Sequence, residues 1–340
     1  MQGGRGSTGA LLVGAVLGLL LIVAAVAAPL VLRPSTSPGA AAPAEAGATG
    51  DHADLVVTPA DAARPWRAGR PMSQRRSYVA AAEVDGRIYA AGGMVGESGR
   101  RLQLLQRYDP AADAWTGLAN LPVPTRAAAA AAVGRAIYLI GGDAEDGNGR
   151  QVWRYDVDRD RWTRRAPLPR PRFNHAAVAL DGRIYVLGGY QDGRELDEMF
   201  VYDPQTDRWT GGVDLPLANH AFGATVLDGE LWMIGGRVGE RVLDDVWIFD
   251  PRAGRWRAGP RLPRPMELLG ASAAGRDIHA VWEATYQIYD GASGRWRDGP
   301  SPQVHRHGLS VFHVDRRLYA IGGCTTALRD SQALEIRALS

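Results

Sequence analysis

Residues 183–209 read RIYVLGGYQDGRELDEMFVYDPQTDRW. A β-branched, aromatic run stops at Gly188-Gly189, and Tyr202-Asp203-Pro204 stands seven residues ahead of Trp209. The run is short and carries no helical period, so it reads as a strand. Glycine closing a strand marks a place where another backbone comes close. Asp-Pro opens a tight turn, because aspartate bonds the backbone ahead of it and proline presets φ. The chain then returns and lays Trp209 beside Tyr202, two broad apolar plates suited to the space between stacked sheets.

The pattern recurs along the chain. RIYAAGG (87–93), AIYLIGG (136–142), ELWMIGG (230–236) and RLYAIGG (317–323) repeat the first half. QRYDPAADAW, WRYDVDRDRW, WIFDPRAGRW and QIYDGASGRW repeat the second. Tyr108, Tyr155, Tyr202 and Phe249 follow one another at 47 residues, and Tyr289 follows after 40. A degraded unit centres on Ile278-His279-Ala280-Val281. A fixed period near fifty marks an array of supersecondary units.

These residues resemble the kelch repeat, in which a double glycine closes the second strand and a Tyr and Trp follow at fixed separation. The resemblance covers about residues 57–340 and implies an all-β, six-bladed kelch-type β-propeller of the kind found in the central domain of galactose oxidase. The last unit ends at ALEIRALS with no tryptophan strand, while WRAGRPM at Trp66 matches WRAGPRLPRPM at Trp256–Met266. An N-terminal strand is therefore expected to complete the sixth blade and remove the exposed sheet edges.

Ahead of the propeller, residues 10–32 carry no charge, a length that spans a bilayer as a helix. Arg5 precedes the run and Arg33 follows it, which favours residues 1–9 in the cytoplasm and the propeller outside. The rival reading is a cleaved signal peptide ending near Ala25-Val26-Ala27, which would release a secreted chain. Residues 33–56 are Pro-, Ala-, Ser- and Gly-rich and read as a disordered linker. The expected arrangement is a single-pass anchor, a tether and an exported propeller, monomeric and in the cell membrane.

All 39 basic residues are arginine, so Schiff-base and P-loop lysine chemistry is excluded. Net charge is +2 with the signs mixed, and no nucleic-acid motif appears. The one cysteine, Cys324, can form no internal disulfide or multi-cysteine metal site. It reads as a small buried residue.

Register locates a candidate site. Small residues Ala81, Ala130, Ala177, Ala224, Ala271 and Val311 recur in the innermost strands. Four residues before them, on the same face of the strand, stand Ser77, Arg126, Phe173, His220, Glu267 and His307. One residue earlier come Arg76, Thr125, Arg172, Asn219, Met266 and Arg306. The glycine loops add Asp143, Tyr190, Arg237 and Glu283 at the same end. The expectation is one channel mouth where Arg76, Arg126, Arg172, Arg237, Arg306 and Asp143 bind ligand. Glu267, His220 and His307 are the candidates for proton transfer. The rival reading is a solvated structural cluster. His305 and His307 flank a loop without metal-ligand spacing, so no metal or other cofactor is expected. His175 reads as a packing residue.

Kelch propellers mostly recognise partners, so the resemblance implies a protein- or glycan-binding module acting through the mouth. The alternative it implies is a carbohydrate enzyme of the acidic-sugar mutarotase or epimerase type, with arginines holding a carboxylate. The copper-oxidase version needs a Tyr-Cys crosslink, and Cys324 has no evident partner in the sequence.

Overall fold

The computed structural model describes residues 65–96, 98–325 and 329–339. The membrane span expected at 10–32, the linker at 33–56 and the propeller start at 57 lie outside the described residues. Six four-stranded antiparallel sheets form the six blades of a propeller. Blades one to five occupy residues 80–117, 129–164, 176–211, 223–258 and 270–298. Blade six comprises Ser310–Val314, Arg317–Ile321 and Leu334–Ala338, with Arg67–Ala68 as its outer strand. Arg67 lies opposite Ile336 and Ala68 opposite Glu335, so the two ends of the described chain share one sheet.

The tryptophans stitch blade to blade. Trp115, Trp162, Trp209, Trp256 and Trp296 donate Nε1–H to the carbonyls of Arg70, Ala119, Ala166, Val213 and Pro260, each on the segment leaving the preceding blade. Trp66 does the same to Pro300 at 2.9 Å, which continues the series through the joined blade. Each such bond is worth about 1 kcal/mol net. Tyr108, Tyr155 and Tyr202 donate their hydroxyls to Asp113, Asp160 and Asp207. Those carboxylates also accept the amides of Arg70, Ala119 and Ala166. Blades four and five carry Gly254 and Gly294 instead of the aspartate. In blade four Phe249 has no hydroxyl to give, and for blade five Pro260 has no amide hydrogen.

The double glycines have a specific task. Gly92 and Gly93 adopt φ of +63° and +96°, a region L side chains avoid. A Cβ on Gly92 would stand 2.4 Å from the Thr125 carbonyl oxygen. The next amide, Gly93 N–H, donates to that same oxygen at 2.9 Å. Gly142, Gly189 and Gly236 repeat the bond to Arg172, Asn219 and Met266. The glycines let each second strand dock on the segment that begins the following blade.

Blade five departs from this pattern. Asp277–Trp282 turns directly into Thr285–Asp290 through Glu283-Ala284, with Glu283 at φ 51°. Its amide bonds Arg306 O at 2.8 Å, taking over the second glycine's role. The other blades carry a longer excursion at this point, which explains the 40-residue spacing before Tyr289.

Inner strands run away from the candidate mouth and successive strands alternate in direction. The strand Arg67–Ala68 therefore starts on the far face, and Leu334–Ala338 ends there.

Candidate functional site

In every blade but the fifth, the inner strand is preceded by a lead-in residue whose backbone pairs with the residue after the double glycine. The pairs are Ser77–Met94, Arg126–Asp143, Phe173–Tyr190, His220–Arg237 and His307–Cys324. Side-chain contacts then join blade one to two, three to four, four to five, five to six and six to one. Met94 Sδ meets Arg126 Nη1 at 3.0 Å, and the Tyr190 ring centroid lies 5.0 Å from that of His220. Arg237 grips Glu267 with Nε at 2.5 Å and Nη2 at 3.0 Å. Glu283 Oε1 lies 3.6 Å from His307 Nδ1, and Ser77 donates to Asp330 at 2.7 Å. Arg126, His220, Glu267, His307, Asp143 and Arg237 are thus brought together at the mouth.

Arg76, Arg172 and Arg306 are placed elsewhere. They are at most 1% exposed, and their guanidinium groups turn into the blades. Arg76 donates to the carbonyls of Gly92, Leu104 and Ala90 and to Gln106. Arg172 bonds Gly188 O and Glu198, while Arg306 bonds Gly322 O, Ala333 O, Ala320 O and Glu335. The expected flanking of the mouth fails for a simple reason: one step along an extended chain reverses the side chain. The same slot holds Asn219, whose Nδ2 donates to Gly235 O, and Met266. Burial lowers the Arg76 and Arg172 guanidinium pKa to about 10.

Three features of the mouth escaped the sequence. Asp143 is shared, because Arg101 Nη2 reaches its second oxygen at 2.6 Å while Arg126 Nε holds the first at 2.7 Å. Glu195 lies 4.0 Å from His220 Nδ1, and Cys324 Sγ lies 2.9 Å from His307 Nε2. Glu195 and Arg101 sit on the returning arms of the hairpins, where loop length rather than register sets their place. Cys324 follows Gly322-Gly323 in the slot of Asp143, so register alone would have put it at the mouth.

Beside these stands Tyr78, the residue after the lead-in. Tyr78, Ala127, Asn174, Ala221 and Leu268 all adopt φ between 46° and 59°, and Gly308 adopts 62°. This turns their peptides toward the axis, where Ala127 N bonds Tyr78 O and Asn174 N bonds Ala127 O. Ala221, Leu268 and Gly308 extend the chain of bonds in turn. The resulting run of five peptide hydrogen bonds links all six blades between the lead-in residues and the inner strands. Tyr78 is the one aromatic residue of this column. Burial, with Cys324 next in effect, pushes its phenol up to about 12, and Arg126, Glu267 and Asp330 act on it as well.

A space of about 110 Å³ is lined by the residues of this column together with their successors, among them His175 and Phe222. The channel proper, about 470 Å³, is walled by Ala81, Ala130, Ala177, Ala224, Ala271 and Val311. Burial lowers the His220 pKa, and the Glu267 hydrogen bond raises that of Arg237. Among the described residues no group of three or more His, Cys, Asp or Glu side chains is gathered to hold a metal.

Six radial sheets, closed through a shared blade and stitched by repeated tryptophans, define a repeat β-propeller with a polar mouth. The chain belongs to the kelch-repeat family: the model of the KLHDC2/KLHL20/DRC7 Kelch-repeats domain matches residues 78–266. It is similar to Kelch-like protein 35 of Mus musculus, 39% identical over 64 residues, which covers 19% of this chain and 11% of that protein. The F-box protein AFR of Arabidopsis thaliana is 32% identical over 77 residues, 23% of this chain and 21% of that one. The chain therefore matches only a small part of these relatives. The solved structure of YjhT aligns with TM-score 0.68 at 15% identity, covering 78% of this chain and 95% of that chain, a likeness of fold. Kelch propellers typically serve as protein-binding modules.

Proposed function

We propose that this propeller is an exported, membrane-tethered recognition module that binds a protein partner through the channel-mouth face. The observation that carries the reading is the set of polar and aromatic side-chain contacts that bridges five of the six blade junctions at the mouth. Such a set is a preformed polar platform, and a platform suits a partner's surface better than it suits an enclosed reaction. Three of the arginines that would hold the carboxylate of an acidic sugar are instead spent on backbone carbonyls inside the blades. Both described ends of the chain lie on the opposite face, which leaves the mouth unobstructed by them. Tethering rests on the uncharged run at 10–32 alone. Among the described residues no helix is long and apolar enough to cross a membrane.

The test is crosslinking on intact cells with the full chain, comparing wild type with Arg126→Ala/Glu267→Gln and with Arg257→Ala on the rim of blade four. Neighbours lost only with the mouth variant support the reading, provided its melting temperature stays close to wild type. Neighbours unchanged by the mouth variant sink it. Binding to an arrayed glycan, with no protein neighbour recovered, replaces the protein partner by a carbohydrate.

A further inference from the structure

The lead-in and post-glycine positions around the mouth differ in chemistry from blade to blade. Blade three alone fills both with aromatic rings, Phe173 in the lead-in and Tyr190 after the double glycine. The two rings meet edge to face with centroids 5.7 Å apart, and the His220 ring of blade four follows 5.0 Å from that of Tyr190. Phe173 and Tyr190 are half-buried, so each keeps some surface open to solvent. Tyr190 stands directly opposite Glu195 in the hairpin of blade three, which puts both side chains on one face of that hairpin. His220 lies against the same face, because its Nδ1 is 4.0 Å from Glu195 Oε1.

These groups are rich in acceptors and poor in donors. The Glu195 carboxylate only accepts, and one of its oxygens takes the Gly239 amide at 2.8 Å. The His220 Nδ1 is buried beside that carboxylate, which places the ring proton there and leaves Nε2 as an acceptor. Among the described residues no guanidinium bonds Glu195 or His220. Arg237 is held by both oxygens of Glu267, Arg126 by Asp143, and Arg241 lies 3.6 Å from Asp245. Arg194 stands opposite Gln191, one step from Glu195, and so belongs to the other face of the hairpin.

We propose that the cluster of Phe173, Tyr190, Glu195 and His220 seats an arginine side chain carried by the protein partner. The proposal rests on the partner-binding reading of the mouth and specifies the partner's chemistry. A guanidinium is flat, stacks on aromatic rings, and carries five N–H donors and no acceptor. It therefore complements two aromatic rings that stand beside a carboxylate and an imidazole nitrogen. Glu195 supplies the opposite charge, and Phe173 and Tyr190 supply the stacking surface. A lysine ammonium offers charge without the plane, and a carboxylate is repelled by Glu195, so the cluster selects by shape as well as by sign.

The experiment is calorimetric titration of the full chain, held in a neutral detergent, with the blocked pentapeptide Arg-Gly-Arg-Gly-Arg and its lysine and citrulline counterparts. Citrulline keeps the flat shape but loses the charge. The variants are Glu195→Gln, which keeps an oxygen for the Gly239 amide, and Tyr190→Leu, which keeps an apolar side chain in the hairpin. The arginine peptide is expected to bind wild type about tenfold tighter than either counterpart, and to weaken about tenfold in each variant. An arginine peptide that binds no tighter than a counterpart, or that binds either variant as it binds wild type, overturns the proposal. If both variants also keep every crosslinked neighbour that Arg126→Ala/Glu267→Gln loses, the arginine seat fails while the mouth reading survives. If the mouth variant loses no neighbour, the failure lies in that reading itself.

Discussion

Arg76 Nη1 lies 2.9 Å from the carbonyl oxygen of Gly92, the first glycine of the pair that ends its own blade's second strand. Arg172 with Gly188 and Arg306 with Gly322 reproduce the contact at 2.8 Å, and Asn219 with Gly235 approximates it with an amide at 2.9 Å. A left-handed glycine turns its carbonyl out of the ladder, and a buried carbonyl without a donor costs about 1–3 kcal/mol. The arginine supplies that donor, which explains why a charged side chain stands fully buried.

Arg76→Met is therefore expected to lower unfolding free energy by about 2–4 kcal/mol, since several buried acceptors lose their donor together. Met266 fills this slot in blade five, where no glycine pair turns its carbonyl out. The check is denaturant unfolding of Arg76→Met beside Met266→Leu, which should cost much less. Equal losses would mean that packing, not hydrogen bonding, sets the arginine's role.

Much of this was legible in the sequence. The repeat of RIYVLGG and YDPQTDRW determines blade number, strand order and the match of Trp66 to the later tryptophans, because register in a β-array follows from period two and a constant spacing. The lead-in residues were located by the same arithmetic. Two things were not legible. The residue before each lead-in, Arg76 for example, looks equally polar in sequence, and only its burial shows that it faces the blade. Tyr78 sits where the other blades carry Ala127, Asn174, Ala221, Leu268 and Gly308, and only the shared positive φ shows that this column faces the axis.

Ring closure makes its own forecast. Trp66 is 1% exposed, packs edge-on against Tyr286 with centroids 5.5 Å apart, and bonds Pro300 across the blade boundary. Deleting residues 57–72 should strand the edge of Leu334–Ala338 and give insoluble protein. Deleting residues 1–50 should leave a folded domain, measured by solubility and circular dichroism. A stable, monomeric 73–340 chain would show that the outer strand is dispensable.

Cys324 is 4% exposed, and burial, with Asp330 and Glu283 adding to it, pushes its thiol up to about 12. Thiolate is the reactive form, so a maleimide at pH 7.5 should label the folded chain slowly and the urea-unfolded chain rapidly. The ratio of the two rates, read by intact mass, is the measurement. Rapid labelling of the folded chain would mean that His307, at 2.9 Å, draws the proton from the sulfur after all.

Acid stability tests the interior beneath the mouth. His175 is buried, and desolvation, reinforced by the nearby Arg172 charge, lowers its pKa to about 3. An unfolded histidine titrates near 6.5, so between about pH 6.5 and 3 the unfolded chain binds a proton that the folded chain refuses. The neutral ring's stabilising contribution is complete above pH 6.5 and is lost as pH falls through that window, at up to about 1.4 kcal/mol per pH unit. His175→Phe keeps a flat ring but carries no titrating group. Urea unfolding from pH 7 to pH 4 should show wild type losing stability more steeply than His175→Phe, by close to one proton's worth of slope. Parallel curves for the two proteins would mean that His175 is protonated in the folded state, and that the space bordered by Asn174 and Phe222 accommodates its charge.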